Sequence, residues 1–333
     1  MIQAMTFHRT FTRRVLASLA LATAGAALLP LAAAAEQWPE KPIRLIVPYS
    51  AGGGADNAAR ILAQRLGAAL RTQVVIDNRP GASGIIGAQA VAKADPDGYT
   101  VLYDASTFAV NPLLRKMPFD AATDLVPVSL ALTVPNVLVV PPNSPDADFK
   151  AFVARARAQP GKVSFASYGA GSPAHLAGEL LNREARTGML HVPYKGGAPA
   201  IADVMGGHVD AYFANAGSAL GYLQSGQLRA LAVTSTRRMA ALPQVPTIAE
   251  SGIPNFEVLE WNGFFVPKGT PRPIVERLSA EVQAAVRDPQ TRARLVALGA
   301  DPAGGSPAEF ATFIAGESRR WAQLIKTNKI VAE

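Results

Sequence analysis

Cysteine is absent from the 333 residues. That excludes disulfides, thiol nucleophiles, zinc–thiolate centres and the acylated cysteine of a lipoprotein. Stability must therefore come from an apolar core, which a chain of this length can build, most naturally as two domains. Nucleotide signatures are also missing. In Gly52-Gly53-Gly54-Ala55-Asp56-Asn57, Asn57 stands where a dinucleotide fingerprint has its third glycine, and no Gly-Lys-Ser/Thr follows to form a P-loop. Gly81-Ala82-Ser83-Gly84-Ile85 lacks the last glycine of a nucleophile elbow. Beyond residue 35 the histidines are His175, His191 and His208, none in an H-x-H or H-E-x-x-H pattern, so no metal site and no cofactor is expected. Lysine and arginine do not cluster among aromatics, which argues against a nucleic-acid partner.

The start of the chain has a different character. Arg9, Arg13 and Arg14 precede an apolar, Ala/Leu-rich run from Val15 to Leu31, and Ala32 to Ala35 offer small residues for cleavage. This is the pattern of a removable export signal, residues 1–35. The run is long enough to span a bilayer, but Pro30, weak Ala-rich hydrophobicity and the Ala-x-Ala exit favour cleavage. Thr12-Arg13-Arg14-Val15-Leu16 partly resembles a twin-arginine signal. Losing the three arginines lowers the formal charge from +7 to +4. The expected product is exported and mildly basic.

Strand and helix signals alternate from Ile43 onward, which predicts an α/β fold with mostly parallel sheets. Strands are read at Ile43–Pro48, Val74–Ile76, Tyr99–Tyr103, Val126–Leu132 and Val137–Val140. Further ones fall at Val163–Ala166, Met189–Val192, Val209–Phe213, Leu228–Val233 and Phe256–Val266. Helices are read over Asp56–Leu70, up to about Lys93, and at Asp148–Ala158, Pro173–Arg186, Pro199–Met205 and Gly217–Ser225. From Pro273 on the chain reads as helical, with a break at Asp301–Pro307. The long extended pieces near 128–135 and 257–264 flank a middle block, which implies two Rossmann-like lobes joined by two crossing strands. Residues 36–132 with 260–333 form the first lobe and 133–259 the second.

Four strand-to-helix turns are built from small residues: Ser50–Gly54, Gly81–Gly84, Ala105–Thr107 and Gly169–Ser172. In open α/β sheets such turns collect at the carboxyl ends of strands, where ligands bind. Exposed N–H groups at helix starts, with Ser/Thr hydroxyls, satisfy a carboxylate. Asp56 reads as the N-cap of the first of these helices. His175 opens a helix after a glycine turn, where capping and ligand contact are equally open readings. His191 reads as structural, and Arg79 as a turn anchor. A Ser83 or Ser172 nucleophile with His175 as base is the alternative enzymatic reading, weakened by the missing elbow and orienting acid.

"WPEKPIRLIVPYSAGGGADNAARILAQRL", "VVIDNRPGASGIIGAQAVAKADPDGYTVL", "VPYKGGAPAIADVMGGHVDAYF" and "LEWNGFFVPKGTP" together resemble the Bug family over Glu36 to Glu333. These are periplasmic receptors of tripartite tricarboxylate transporters. The resemblance implies a two-lobed, type II-like periplasmic-binding-protein fold that closes on a small carboxylate, acts as a monomer and is not an enzyme. Its partners are then membrane transporter subunits, or alternatively a membrane sensor kinase. Carried over by residue, the first-lobe pocket comprises Tyr49, Ser50, Ala51, Gly52, Gly53, Ala82, Ser83, Gly84, Ser106 and Thr107. The second lobe adds Gly169, Ser172, His175, Tyr194, Lys195, Asp210 facing the cleft, and Asn215. The turn "SYGAGSPAHL" is shorter than the family form. Trp261, on an expected crossing strand, either packs the hinge or walls the pocket, and the hinge is the favoured reading.

Overall fold

The fold is that of a computed structural model describing residues 38–331. The expected signal at 1–35 lies outside the described residues. The compact unit carrying everything below begins at Lys41. Among the described residues no helix is long and apolar enough to cross a membrane.

The chain opens with three β–α steps: β1 (Ile43–Val47), α1 (Gly54–Leu70), β2 (Val74–Asn78), α2 (Ile85–Ala92), β3 (Thr100–Ala105) and α3 (Thr107–Leu114). Strand β1 pairs in parallel with both β2 and β3. Helix α1 buries Ala58, Ile61, Leu62, Leu66 and Leu70, the recurrence expected of one apolar face. It ends at Arg71 in the left-handed region (φ 54°), whose N–H closes on Gly67 O. Helix α3 was not among the helices read from the sequence, and it contains Asn111-Pro112, a pair more usual in turns. Here Pro112 falls late in an eight-residue helix that stops two residues later.

The next strand, β4 (Leu125–Val140), joins the two strands expected at 126–132 and 137–140 into one run of 16 residues. Pro135, between the two expected strands, sits at a changeover. Up to Pro135 the strand pairs with β9 (Leu259–Pro267), and from Asn136 it pairs with β7 (Ala211–Asn215). A residue without an N–H is tolerated where one ladder ends and the next begins.

The second half comprises α4 (Phe149–Ala158), β5 (Ser164–Ser167), α5 (Pro173–Ala185), β6 (Leu190–Pro193), α6 (Gly197–Met205), β7, α7 (Ala216–Gln224) and β8 (Arg229–Val233). Strand β5 is parallel to β6 and β7. After β9 come α8 (Arg272–Arg287), α9 (Pro289–Ala297), a two-residue β10 (Asp301–Pro302) and α10 (Pro307–Asn328). The expected Pro/Gly break at 301–307 thus includes a short strand that pairs with β4. The sheet runs β2-β1-β3-β9-β4-β7-β5-β6, with β8 and β10 also paired to β4. The two expected crossing segments fall on β4 and on the entry to β9.

Strand β9 shows how the sheet separates core from cleft. Alternate residues face opposite sides. Trp261, Gly263 and Phe265 meet Phe310 of α10: Trp261 lies edge-on at 5.6 Å and Phe265 at 5.2 Å between ring centroids. Trp261 therefore packs into the core with Leu102, Phe108 and Leu125. Glu260 and Asn262 take the other face. A Cβ at Gly263 would stand 2.2 Å from Phe310 Cζ, so this strand position must be glycine for the ring to fit. Gly263→Ala is expected to cost about 1–3 kcal/mol through overpacking. Urea unfolding measures this, and adding Phe310→Leu should recover part of the loss.

Candidate functional site

A cavity of about 440 Å³ opens where the helix starts of both halves converge, within the size range of small-molecule sites. Gly53, Gly54 and Ala55 bring the start of α1, and Ser106 and Thr107 that of α3. Ser172 and Pro173 belong to α5, Gly196 and Gly197 to α6, and Asn215 and Ser218 to α7. Three of these starts, those of α1, α3 and α6, carry no side-chain cap. Their N–H groups are left for something else, with the positive ends of the helix dipoles beside them. The α5 and α7 starts are capped by Ser172 and Asn215, which accept from His175 N and Gly217 N.

Two hydroxyls in this wall have no partner among the described residues although they are buried: Ser106 Oγ and Tyr212 OH. Each leaves a polar group whose burial is costly until something in the cavity bonds it. No lysine or arginine lines the cavity, and Glu260 is its one charged side chain.

The first-half wall rests on a buried hydrogen-bonded set. Tyr49 OH donates to Asp104 Oδ1 at 2.7 Å and accepts from Thr107 Oγ1 at 2.8 Å. Ala105 N also donates to Asp104 Oδ1. Burial pushes the Asp104 carboxyl up to about 7, against these two hydrogen bonds. Gly84 makes room for the set: a Cβ there would stand 3.3 Å from both Asp104 Oδ1 and Tyr49 OH. The preceding turn holds Ser83 left-handed at φ 54°, with Asn111 Nδ2 donating to its carbonyl. Such strain persists only where surroundings enforce it.

The second-half wall centres on Glu260. Its Oε2 accepts from Tyr168 OH and from Asn215 Nδ2, both at 3.0 Å. Burial pushes the Glu260 carboxyl above the usual range, and the Asn215 and Tyr168 hydrogen bonds oppose that. Burial first, and with it the charge of Glu260, raise the tyrosines at 49, 103, 168 and 212, which keeps these phenols protonated. Glu260, Asn215 and Ser218 also line a neighbouring cavity of about 300 Å³, together with Gly52 and Asn262.

Of the residues expected at the site, Tyr49, Ser50, Gly53, Ser83, Ser106, Thr107, Gly169, Ser172 and Asn215 line the main cavity. Gly52 lines the smaller one. Ala51, Ala82 and Lys195 are solvent-exposed and line neither, and Gly84 stands behind the wall. Tyr194 donates to Asp203 at 2.6 Å instead of facing the cavity. Asp210 does not face the cleft: it pairs with Arg155 at 2.9 Å and accepts from Ser164 N and Oγ, tying β5 to α4. Asp56 is not the N-cap of α1, a position held by Gly53. It sits in the first turn, buried, and reaches back to Gly52 N while Arg60 and Asn78 donate to it.

His175 is buried behind the α5 start. Its Nδ1 accepts from Gly171 N, and its ring stacks on His191 at 3.7 Å. Burial and the neighbouring imidazole lower His175 to about 3, and burial lowers His191 to about 4. Both are neutral packing groups. Ser172 Oγ bonds the His175 backbone and not its ring, so the nucleophile–base pairing has no geometry here. The residues missed in the sequence are Tyr168, Tyr212, Gly196, Gly197, Ser218 and above all Glu260. The alternation of "LEWNGFF", with Trp261 inward, was the signal that places Glu260 outward.

Asp104 makes stability depend on pH. Its folded-state pKa lies above the unfolded value, so this stability is fully present below about pH 4 and lost as pH rises through about 7. Asp104→Asn keeps an acceptor for Tyr49 and Ala105. It should be more stable than wild type at pH 8 by on the order of a few kcal/mol, with the gap closing towards pH 5. Urea unfolding across that range reads it.

Residues 58–330 match the family model described as "Tripartite tricarboxylate transporter family receptor". The chain is 44% identical over 315 residues to a UPF0065 protein in the tcbD-tcbE intergenic region of Pseudomonas sp. strain P51, covering 94% of this chain and 93% of that one. Among solved structures it is similar to the periplasmic binding protein BugD, with TM-score 0.77, 35% identity and coverage of 89% and 100%. It is also similar to R. palustris Rpa4515 with adipate, with TM-score 0.81, 36% identity and coverage of 89% and 100%.

Proposed function

The chain belongs to the tripartite tricarboxylate transporter receptor family, and on that premise we propose that it captures a small organic acid in the cavity between its halves and delivers it to a membrane transporter. The family and its structural neighbours are binding proteins and not enzymes. The observation that carries the reading is the 440 Å³ cavity, where uncapped helix starts meet the unpartnered Ser106 Oγ and Tyr212 OH. A carboxylate there takes N–H groups, hydroxyls and helix dipoles with no fixed cation, an arrangement suited to reversible capture. The relative solved with adipate supports an acid ligand.

The wall is shared by both halves, so ligand contacts exist in full only when the halves approach. The hinge we propose is the pair of crossing points, Pro135–Asn136 in β4 and Val258–Leu259 at the entry to β9. There Val258 N donates to Thr234 O, and Asn136 N donates to Thr234 Oγ1. A ligand that bonds both halves binds the closed state better and shifts the population towards it. Export through the signal at 1–35 to the periplasm, action as a monomer and delivery to two membrane subunits complete the proposal. A sensor kinase as the receiver is the second reading for the partner.

Mass spectrometry of the ligand co-purified with native protein is expected to find an organic acid. Titration calorimetry with that acid should show Ser106→Ala and Tyr212→Phe each weakening binding about tenfold, as for a lost hydrogen bond to a charged group. Their unfolding midpoints without ligand should lie at or above that of wild type, because each change removes a buried hydroxyl without a partner. Failure of every organic acid to shift the unfolding midpoint counts against the proposal.

A further inference from the structure

The cavity is electrically lopsided. Its lining offers N–H and O–H donors and a single carboxylate, that of Glu260. Glu260 Oε2 is already occupied by the Tyr168 hydroxyl and the Asn215 amide, and those two donors converge on one oxygen. Oε1 makes no hydrogen bond among the described residues, and the side chain lines the cavity. Neither lysine nor arginine lines that wall to neutralise it. Burial works against the charge on Glu260, and the two donors on Oε2 work for it, because a protonated oxygen there would lose an acceptor site. A ligand that brought a second carboxylate beside Glu260 would meet a like charge in the cavity, where repulsion is screened less than in bulk water. A ligand bringing an N–H or O–H donor would complete Oε1 instead.

We propose that Glu260 sets the ligand class, selecting acids that are monoanions with a hydrogen-bond donor opposite the carboxylate, such as an ammonium or a primary amide, over dianionic diacids. This rests on the carboxylate-receptor reading above and adds the polarity of the site to it. The carboxylate is held at the helix starts with Ser106 Oγ and Tyr212 OH, and the donor bonds Glu260 Oε1. Tyr168 and Asn215 position the Glu260 side chain and do not themselves meet the ligand's donor.

Glu260→Gln is close to isosteric. Its amide oxygen can still accept from Tyr168 and Asn215, which turns an NH2 donor into the place of Oε1. The preference should then invert. The test is calorimetric titration at pH 7.5 of the full secreted protein and the variant with linear acids of four, five and six carbons. At each length there are four: the diacid, its monoamide, the terminal amino acid and the plain monoacid. In wild type the monoamide or amino acid should bind about tenfold or more tightly than both the diacid and the monoacid, the size of one hydrogen bond to a charged group. In Glu260→Gln the amino acid should lose about tenfold and the diacid gain about tenfold. A wild type that binds the diacid as tightly as the monoamide, with a profile unchanged in the variant, overturns this inference and leaves the carboxylate reading standing. Binding of none of the acids overturns both.

Discussion

The antiparallel pairing of β4 with β9 is the contact on which the other features depend. It joins the first half of the sheet to the second, and it runs along the floor between them. Because side chains on a strand alternate, the same few residues serve two environments. Trp261, Gly263 and Phe265 close the core against Phe310, and Glu260 and Asn262 face the other way. A shift of register by one residue would place an indole in the cleft and a carboxylate in the core. The aromatic packing therefore holds the charged group of the cavity in place without touching it.

Around that floor the cavity has been built from omissions. Glycine at 53 and 196 leaves helix starts uncapped, and glycine at 84 and 197 leaves room for the hydroxyls of Tyr49 and Tyr212. Buried polar atoms without partners are costly, and here they lie on the wall of a cavity where a ligand can meet them. The charged groups that do occur nearby are mostly committed elsewhere: Asp56 to the α1 turn, Asp210 to Arg155, Asp104 to Tyr49. Glu260 is half committed, and that leaves one oxygen to discriminate between ligands.

The repeating β–α units and the small-residue turns, with the cavity residues Ser50, Gly53, Ser83, Ser106, Thr107, Gly169 and Ser172 that lie in them, were legible because strand period, helix period and glycine placement are local properties; Tyr49 and Asn215 came from the family resemblance. The misreadings have a common cause. Asp56, Asp210, Tyr194 and His175 are polar residues beside glycine turns, and local pattern cannot say whether such a side chain points into the cleft or back to a neighbour. Asp210 turned to Arg155, 55 residues away in the chain. Helix α3 and the continuous β4 were not read in the sequence, and each contains a proline that local pattern would place at a break. At Pro112 the helix was about to end, and at Pro135 the ladder was changing partners.

What the sequence determined by itself was the alternation of elements, the core-facing periodicity and, with no cysteine, the absence of any thiol nucleophile or thiolate ligand. These follow from residue chemistry and from spacings of two to four residues. What only the tertiary structure decided was which polar groups found partners. Ser106 and Tyr212 were left without them, Glu260 kept one oxygen free, and Asp104 was buried beside Tyr49. Those outcomes depend on which elements the sheet order brings together, across separations of 45 residues or more, and hydrogen-bond satisfaction is a property of that meeting and of no single segment.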